Sequence, residues 1–390
     1  MQEVTLRNFL SFGPKTPPLP LRSLNVLIGA NSSGKSNLIE AFSIMRSTPR
    51  EPSVPGDLRD TLVRGGGVGE WVWKGARGEP AKIDVVVSYR SGKQPLRHVL
   101  AFRENGQGFR LDDERVENER RLPDKDKPYL YYDLQGGHPA VNVGGNKRHL
   151  ARESVDANVS ILAQRRDPET YPEITYLADL YGGVRIYQEW AFGRRTVFRG
   201  PQKADTRNDR LEEDFSNLGL FLNRLRRSAA VKKQLLKRLR DLYDDLSDFD
   251  VSVEAGTVQV FFTEGDFTIP ATRLSDGTLR YLCLLAILCD PKPPPLICIE
   301  EPELGLHPDI LPKIADLLIE ASSRTQLIVT THSDIVVDAL SERPESVVVC
   351  ERVEGQTVMK RLEPTALNEW LDKYRLGQLW TKGELGGTRW

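Results

Sequence analysis

The chain has 390 residues, 39% hydrophobic and 28% charged, with 54 Lys and Arg against 55 Asp and Glu. That length suits two or three compact units, and the composition excludes global disorder. With a formal net charge of −1, any surface for nucleic acid or anionic lipid has to come from a local patch.

No apolar run approaches the ~18–20 residues of a membrane helix. The start, MQEVTLRNFLSF, lacks the basic and then apolar pattern of a signal peptide, so a cytoplasmic protein is expected. Cys283, Cys289, Cys298 and Cys350 form no C-x-x-C pair and stand among apolar residues, which reads as buried thiols.

In chain order, EVTLRNF reads as a strand, Pro14 to Pro20 as a loop, LNVLIG as a second strand, and Lys35 to about Met45 as a helix. The Gly- and Pro-rich stretch from Ser47 to Gly78 reads as loop. KIDVVVSY, LRHVLAF, GFRLDD and PYLYYDL alternate with a period of two, predicting an antiparallel β lobe. Tyr187 to Asp209 is a charged connection. Phe215, Leu218, Leu222 and Leu225, then Val231, Leu235, Leu239 and Leu242, have helical spacing, with a break near Ser228. From Val251 the pattern becomes α/β: strands TVQVFF and FTIPA, a helix over 277–289, the apolar strand LICIE, a helix over 308–321, and strands QLIVTTH and SVVVCERV. Alternation of this kind implies a mostly parallel sheet. The pattern is an α/β core split in sequence, residues 1–60 and 250–365. Between its halves lie a β-rich lobe (61–165) and a helical lobe (166–249), and a tail (366–390) follows.

Gly29-Ala30-Asn31-Ser32-Ser33-Gly34-Lys35-Ser36 fits G-x-x-x-x-G-K-[S/T] between a predicted strand and a predicted helix. Glycines let backbone N–H groups converge on phosphate oxygens, Lys35 reaches the β/γ-phosphates, and the Ser36 hydroxyl suits Mg²⁺. The helix N-terminus adds its positive dipole end. Phosphoryl transfer also needs a group that positions water. LICIEE ends in Glu300 and Glu301 at the C-terminal end of a buried strand, where α/β sheets bind ligands. There Glu300 suits a metal-bound water and Glu301 the attacking water; the alternative is a surface acidic turn. His332 follows another buried strand and is either a γ-phosphate contact or an ordinary cap. Ser275, Asp276 and Gly277 precede an apolar helix and read either as its N-cap or as a second phosphate site.

Together these residues resemble the ABC-type ATPases, most closely the branch containing the structural-maintenance-of-chromosomes, RecF and overcoming-lysogenization-defect ATPases. VTLRNFLSF resembles the opening strand and Gly29 to Ser36 matches Walker A. LSDGT (Leu274 to Thr278) matches the signature motif, usually L-S-G-G-Q. LICIEE matches Walker B with the catalytic glutamate, ELGLHP resembles the D-loop, and His332 matches the switch histidine. The resemblance implies a P-loop NTPase fold of ABC-ATPase type, with ATP and Mg²⁺ as ligands. ATP would be held by Gly29, Asn31, Ser32, Ser33, Gly34, Lys35, Ser36 and Asn37. The metal would be held by Ser36, Glu300 and a Q-loop glutamine, Gln164 first and Gln188 second. Lys35, Glu301 and His332 would be catalytic. It also implies a head-to-tail homodimer in which Ser275, Asp276 and Gly277 close over the ATP of the other subunit. Two departures stand out: Glu300 replaces the usual Asp, and Asp276 and Thr278 stand where Gly and Gln are typical.

Members of this branch act on nucleic acid or in anti-phage defence, commonly with a nuclease. The stretch after His332 is too short for the Toprim nuclease found in the overcoming-lysogenization-defect group, so a separate effector is expected. Arg224 to Arg240 carries eight basic and no acidic residues; this reads as a DNA contact or as a solvated face paired with the five aspartates between Asp241 and Asp250. A second, weaker basic run is Asn146 to Arg152. An assembly scaffold gated by nucleotide is the alternative function. A transporter subunit is disfavoured, because Lys35 and Ser275 lie 240 residues apart. No heptad pattern predicts a coiled-coil arm.

Overall fold

Packing divides the chain into two units: Met1–Val184 with Val348–Leu362 and the residues from Leu385, and Arg185–Val347 with Glu363–Glu384. The structure, a computed structural model, describes residues 1–76, 78–92, 94–106, 108–123, 125–135, 138–143, 146–149, 155–156, 158–193, 196 and 198–387.

The first unit opens with β1 (Glu3–Arg7), β2 (Leu19–Pro20), β3 (Leu24–Ile28) and α1 (Lys35–Ser47). Every residue of β3 is buried, as its unbroken apolar run requires. Leu38, Ile39, Phe42 and Met45 form the buried stripe of α1. The stretch expected as loop contains two short helices, α2 (Leu58–Arg64) and α3 (Val68–Trp71). Asp57 caps α2 by accepting from Asp60 N, and the buried Trp71 indole donates to Leu62 O. A cap and one buried aromatic thus overcome the local glycines.

Six strands follow: β4 (Ala81–Val87), β5 (Leu96–Asn105), β6 (Gly108–Asn118), β7 (Leu130–Gln135), β8 (His138–Val143) and β9 (Asn146–His149). All successive pairs are antiparallel, as the period of two predicted. The lobe does not separate at residue 60, however. β1 pairs with β4, Val4 opposite Val85, so one eight-stranded sheet runs β2-β1-β4-β5-β6-β7-β8-β9. Two helices complete this part, α4 (Ile161–Gln164) and α5 (Pro172–Gly182). The buried Glu114 of β6 anchors α4 by accepting from Ser160 Oγ and Ile161 N.

The second unit comprises β10 (Arg185–Tyr187), β11 (Gln202–Lys203), α6 (Leu218–Arg226), α7 (Ala229–Arg240), β12 (Leu246–Glu254), β13 (Thr257–Glu264), β14 (Phe267–Pro270), α8 (Asp276–Leu288), β15 (Leu296–Glu300), α9 (Leu311–Ala321), β16 (Gln326–Thr330) and α10 (Asp334–Asp338). Ser228 breaks α6 from α7 by capping Val231 N. β10, β15 and β16 are parallel neighbours. β11, β12, β13 and β14 make a separate antiparallel sheet. β12 begins where the sequence pattern still reads as helix.

β17 (Val347–Val353) and β18 (Gln356–Arg361) form a hairpin whose residues from Val348 return to the first unit, in the order β3-β17-β18. α11 (Pro364–Leu371) and α12 (Leu376–Thr381) belong to the second unit. The four cysteines are free and buried. Among the described residues, no helix is long and apolar enough to cross a membrane.

Candidate nucleotide-binding and hydrolysis site

In the first unit, the chain leaves β3 at Gly29 and enters α1 through Gly34. Both have backbone angles that favour glycine, φ +149° and +96°. A Cβ on Gly29 would fall 2.2 Å from Cys350 O, and one on Gly34 2.1 Å from Thr357 Oγ1. The start of α1 has no side-chain cap, Gly34 being its N-cap, and its first turn holds no acid. Its N–H groups and dipole therefore suit an anion. Lys35 is buried and its Nζ donates to Gly29 O and Ala30 O, each at 2.9 Å. Ser33 Oγ is buried with no hydrogen-bond partner. An orphaned hydroxyl, a buried ammonium and an uncapped helix start fit a phosphate group, so these residues suit the ligand that the motif implies. Asn31, Ser32 and Ser36 are exposed on this turn.

Residues distant in sequence brace the turn from below. Asn37 Nδ2 donates to Ser11 Oγ at 2.6 Å, and Ser11 Oγ lies 2.6 Å from Thr357 Oγ1. Thr357 Oγ1 in turn donates to Ser33 O at 2.9 Å. Neither Ser11 nor Thr357 carries a sequence signal, because both reach the turn only through folding.

In the second unit, β10, β15 and β16 present their C-terminal ends together. Glu300 ends β15 opposite Thr330 of β16. Glu301 follows in the left-handed region, φ +45°, and its N–H donates to both Thr330 O and Thr330 Oγ1. This strained turn aims its carboxylate at His332, with Oε1 3.4 Å from Nε2. Each side chain keeps about 30% of its surface accessible (29% and 31%), so the pair is open to a reacting molecule. Beneath it, Glu303 Oε1 accepts from Thr331 Oγ1 and His332 N, both at 2.7 Å. Burial raises the Glu303 pKa, and the hydrogen bonds from His332 N and Thr331 oppose that rise. Trp190 Nε1 donates to Glu300 O at 2.6 Å.

The two candidate glutamines have different surroundings. Gln164 braces a loop of the first unit: its Oε1 accepts from Asp156 N, and its Nε2 donates to Asp156 O and Val159 O. In the second unit, Tyr187 of β10 lies opposite Ile299 of β15, which brings Gln188 level with Glu300. The three-residue strand β10 gave no period by which to recognise this.

α8 starts with Ser275 as its N-cap. Ser275 Oγ accepts from Thr278 N at 3.1 Å and lies 2.8 Å from Thr278 Oγ1. Ser275 and Asp276 are exposed and Gly277 is half-buried. The Asp276 carboxylate pairs with Arg199, whose Nη1 also donates to Leu274 O at 2.6 Å.

Residues 24–338 match the family described as "AAA domain, putative AbiEii toxin, Type IV TA system". The chain belongs to that family. This AAA-domain protein is 25% identical over 180 residues to the Old nuclease of Escherichia phage P2; the match takes in 40% of this chain and only 30% of the phage protein. Two solved structures share its fold. The first is the SmcHead bound to the C-winged helix domain of ScpA, with TM-score 0.55, 14% identity, and 94% of this chain and 98% of that one covered. The second is the Smc head domain with an extended coiled coil bound to the C-terminal domain of ScpA from Pyrococcus furiosus, with TM-score 0.54, 14% identity, and 95% and 98% covered. The AAA-domain protein thus has a mixed α/β P-loop NTPase fold, the fold seen in SMC heads.

Four of the eight cations in its basic stretch pair with carboxylates of the second unit. Arg224 pairs with Asp290, Arg226 with Asp250, Lys232 with Asp248 and Arg238 with Glu320. Arg240 donates to Leu246 O and Ser247 O. The run from Asn146 to Arg152 falls outside the residues whose side chains are described.

Proposed function

We propose that this chain binds ATP with Mg²⁺ and hydrolyses it at a site completed by a second copy, and that turnover gates a nucleic-acid-processing or anti-phage defence complex with a separate nuclease or other effector. The observation that carries the reading is the Glu301–His332 pair at the end of β15, next to a residue already suited to a metal, Glu300. In this scheme Lys35 and the N–H groups of the turn bind the phosphates, with Gly29, Asn31, Ser32, Ser33, Gly34 and Asn37 shaping the cradle. Mg²⁺, when bound, offsets phosphate charge; Ser36, Glu300 and Gln188 are the residues that would hold it, with Gln188 preferred to Gln164. Glu301 orients and deprotonates the attacking water, while His332 donates towards the terminal phosphate. Ser275, Asp276 and Gly277 close over the partner copy's nucleotide. The effector role rests on the likeness to the Old nuclease of phage P2.

The pairing of four of the eight cations between Arg224 and Arg240 favours a second reading in one respect: an assembly scaffold gated by nucleotide needs no DNA grip on that stretch. One experiment separates these readings. Mg²⁺-dependent ATP hydrolysis is measured for the wild type, Lys35→Ala and Glu301→Gln, with and without duplex DNA, alongside the oligomeric state. We expect no turnover from either variant, with Glu301→Gln still binding ATP as a trapped dimer. Mixing Lys35→Ala with Ser275→Ala is expected to restore part of the activity, since one composite site regains all its parts. Full hydrolysis by Glu301→Gln refutes its role. Slow turnover indifferent to DNA, with ATP-dependent oligomers, supports the scaffold.

A further inference from the structure

Arg280, in the second turn of α8, is nine-tenths buried yet makes no ion pair among the described residues. Its Nη2 donates to Trp190 O at 3.3 Å. Its guanidinium carbon lies 4.6 Å from the centre of the Phe192 ring and 5.2 Å from that of Trp190. Nη1 is buried with no hydrogen-bond partner. A guanidinium so far from water normally satisfies its donors with a carboxylate or carbonyl, and an unmet buried donor carries a desolvation cost. Cation–π contact with two rings offsets part of that cost and leaves the donor unsatisfied.

A matching acceptor lies in the same unit. Glu303 Oε2 is also buried without a partner, while Oε1 holds Thr331 Oγ1 and His332 N. Burial lowers the Arg280 pKa, and the carboxylates of Asp276 and Glu303 counter it. Trp190 makes the second link, since the residue that brackets Arg280 also donates to Glu300 O. Arg280 is therefore connected on one side to the end of β15 and electrostatically on the other to the carboxylate that fixes the His332 backbone.

We propose that Arg280 is a positioning residue that couples the signature helix to the Glu301–His332 pair of its own chain. Its unmet Nη1 meets the unmet Oε2 of Glu303 when Ser275 engages a nucleotide. The inference rests on the ATPase reading above and adds a direction of communication within one subunit. A signature helix loaded by the partner's ATP draws on Arg280, Arg280 draws on Glu303, and Glu303 resets His332 against Glu301. The two sites of a dimer then fire together rather than independently.

The test is a double-mutant cycle on Arg280→Met and Glu303→Gln, with Arg280→Lys as the conservative variant. Met fits the slot between the rings without charge, and Gln keeps an acceptor for Thr331 and His332. We expect each single variant to lower kcat about tenfold or more with KM for ATP changed less than about twofold. The Hill coefficient for ATP is expected to fall to about 1. Arg280→Lys should recover part of the rate, and the double variant should be no slower than the slower single one. Additive losses, or variants at full speed and full cooperativity, overturn the coupling. If Arg280→Met does not fold, Glu303→Gln alone decides by the same kcat and Hill criteria. A wild type without Mg²⁺-dependent ATPase overturns the underlying reading, and this inference with it; an active wild type with indifferent variants overturns only the coupling.

Discussion

Thr357→Val isolates what holds the phosphate turn in shape. The hydroxyls of Ser11 and Thr357 each have one hydrogen to give. Thr357 spends its own on Ser33 O, so it accepts from Ser11, and Ser11 accepts from Asn37. The result is a directed chain, Asn37 to Ser11 to Thr357 to the Ser33 carbonyl. Valine has nearly the same shape at this buried position, 1% exposed, but breaks two links and leaves the Ser33 carbonyl unmet. One lost hydrogen bond plus one orphaned buried acceptor comes to about 2–3 kcal/mol. For a unit of this size, that corresponds to a fall in Tm of about 5–10 °C. Thr357→Ser keeps the chain and is expected to lose much less. Thermal melts followed by tryptophan fluorescence measure the first effect, and titration with a fluorescent ATP analogue measures the second. ATP affinity is expected to fall about tenfold as the Gly34 corner relaxes, equivalent to roughly 1.4 kcal/mol. A Val variant that melts within about 1 °C of the wild type, with unchanged affinity, refutes the idea that this chain shapes the turn.

Gln188→Ala is expected to raise the Mg²⁺ concentration needed for half-maximal ATPase, whereas Gln164→Ala leaves it unchanged and only loosens the 156–160 loop; metal titrations of both variants decide, and the opposite ranking reverses the assignment. Glu303 supplies a pH signature. Its folded pKa is raised by burial, so the native state holds this proton more tightly than the unfolded chain does. The stability it contributes is therefore greatest at low pH and falls as pH rises through the folded pKa. Glu303→Gln keeps the acceptor and removes the buried charge. Its Tm is expected to match or exceed that of the wild type at pH 8, with the difference closing below about pH 4; a variant whose deficit grows with pH contradicts the burial argument.

What could be read before folding was what lies within one short segment. The phosphate turn, the Glu300-Glu301 pair, His332 and the start of α8 each pair a run of apolar residues with a polar stop, and the end of a buried element is where such residues collect. β3, β15 and the antiparallel lobe were legible for the same reason, their periods being long enough to count. Thr357 and Ser11 were not, because their role depends on β18 returning beside the turn after more than 300 residues (|i−j| = 324 from Ser33 to Thr357). Gln188 carries no such signal, because β10 is three residues long and only its pairing with β15 brings it level with Glu300. The basic stretch leaves two readings open for a different reason. Composition counts charges but not partners, and four of its cations find carboxylates, two of them on residues outside the neighbouring aspartate run, Asp290 and Glu320.

The departure of the signature motif from L-S-G-G-Q has a local electrostatic explanation. An aspartate at position 276 would set a negative charge at the N-terminus of α8, where a phosphate is proposed to dock, and so oppose the helix dipole. Arg199 stands against that carboxylate, with 10% of its side chain exposed against 57% for Asp276. The same guanidinium donates to Leu274 O, which fixes the residue before the Ser275 cap. The pair is close to neutral, so the positive end of α8 still faces solvent as it would with glycine, and Ser275 keeps its own bonds to Thr278. The substitution is therefore compensated by a residue 77 positions away, in the connection from Tyr187 to Asp209 that shows no motif at all. Arg199 and Asp276 have to be considered together: removing Arg199 alone leaves the aspartate to repel what the helix end attracts, whereas removing both returns the motif towards the glycine-like state.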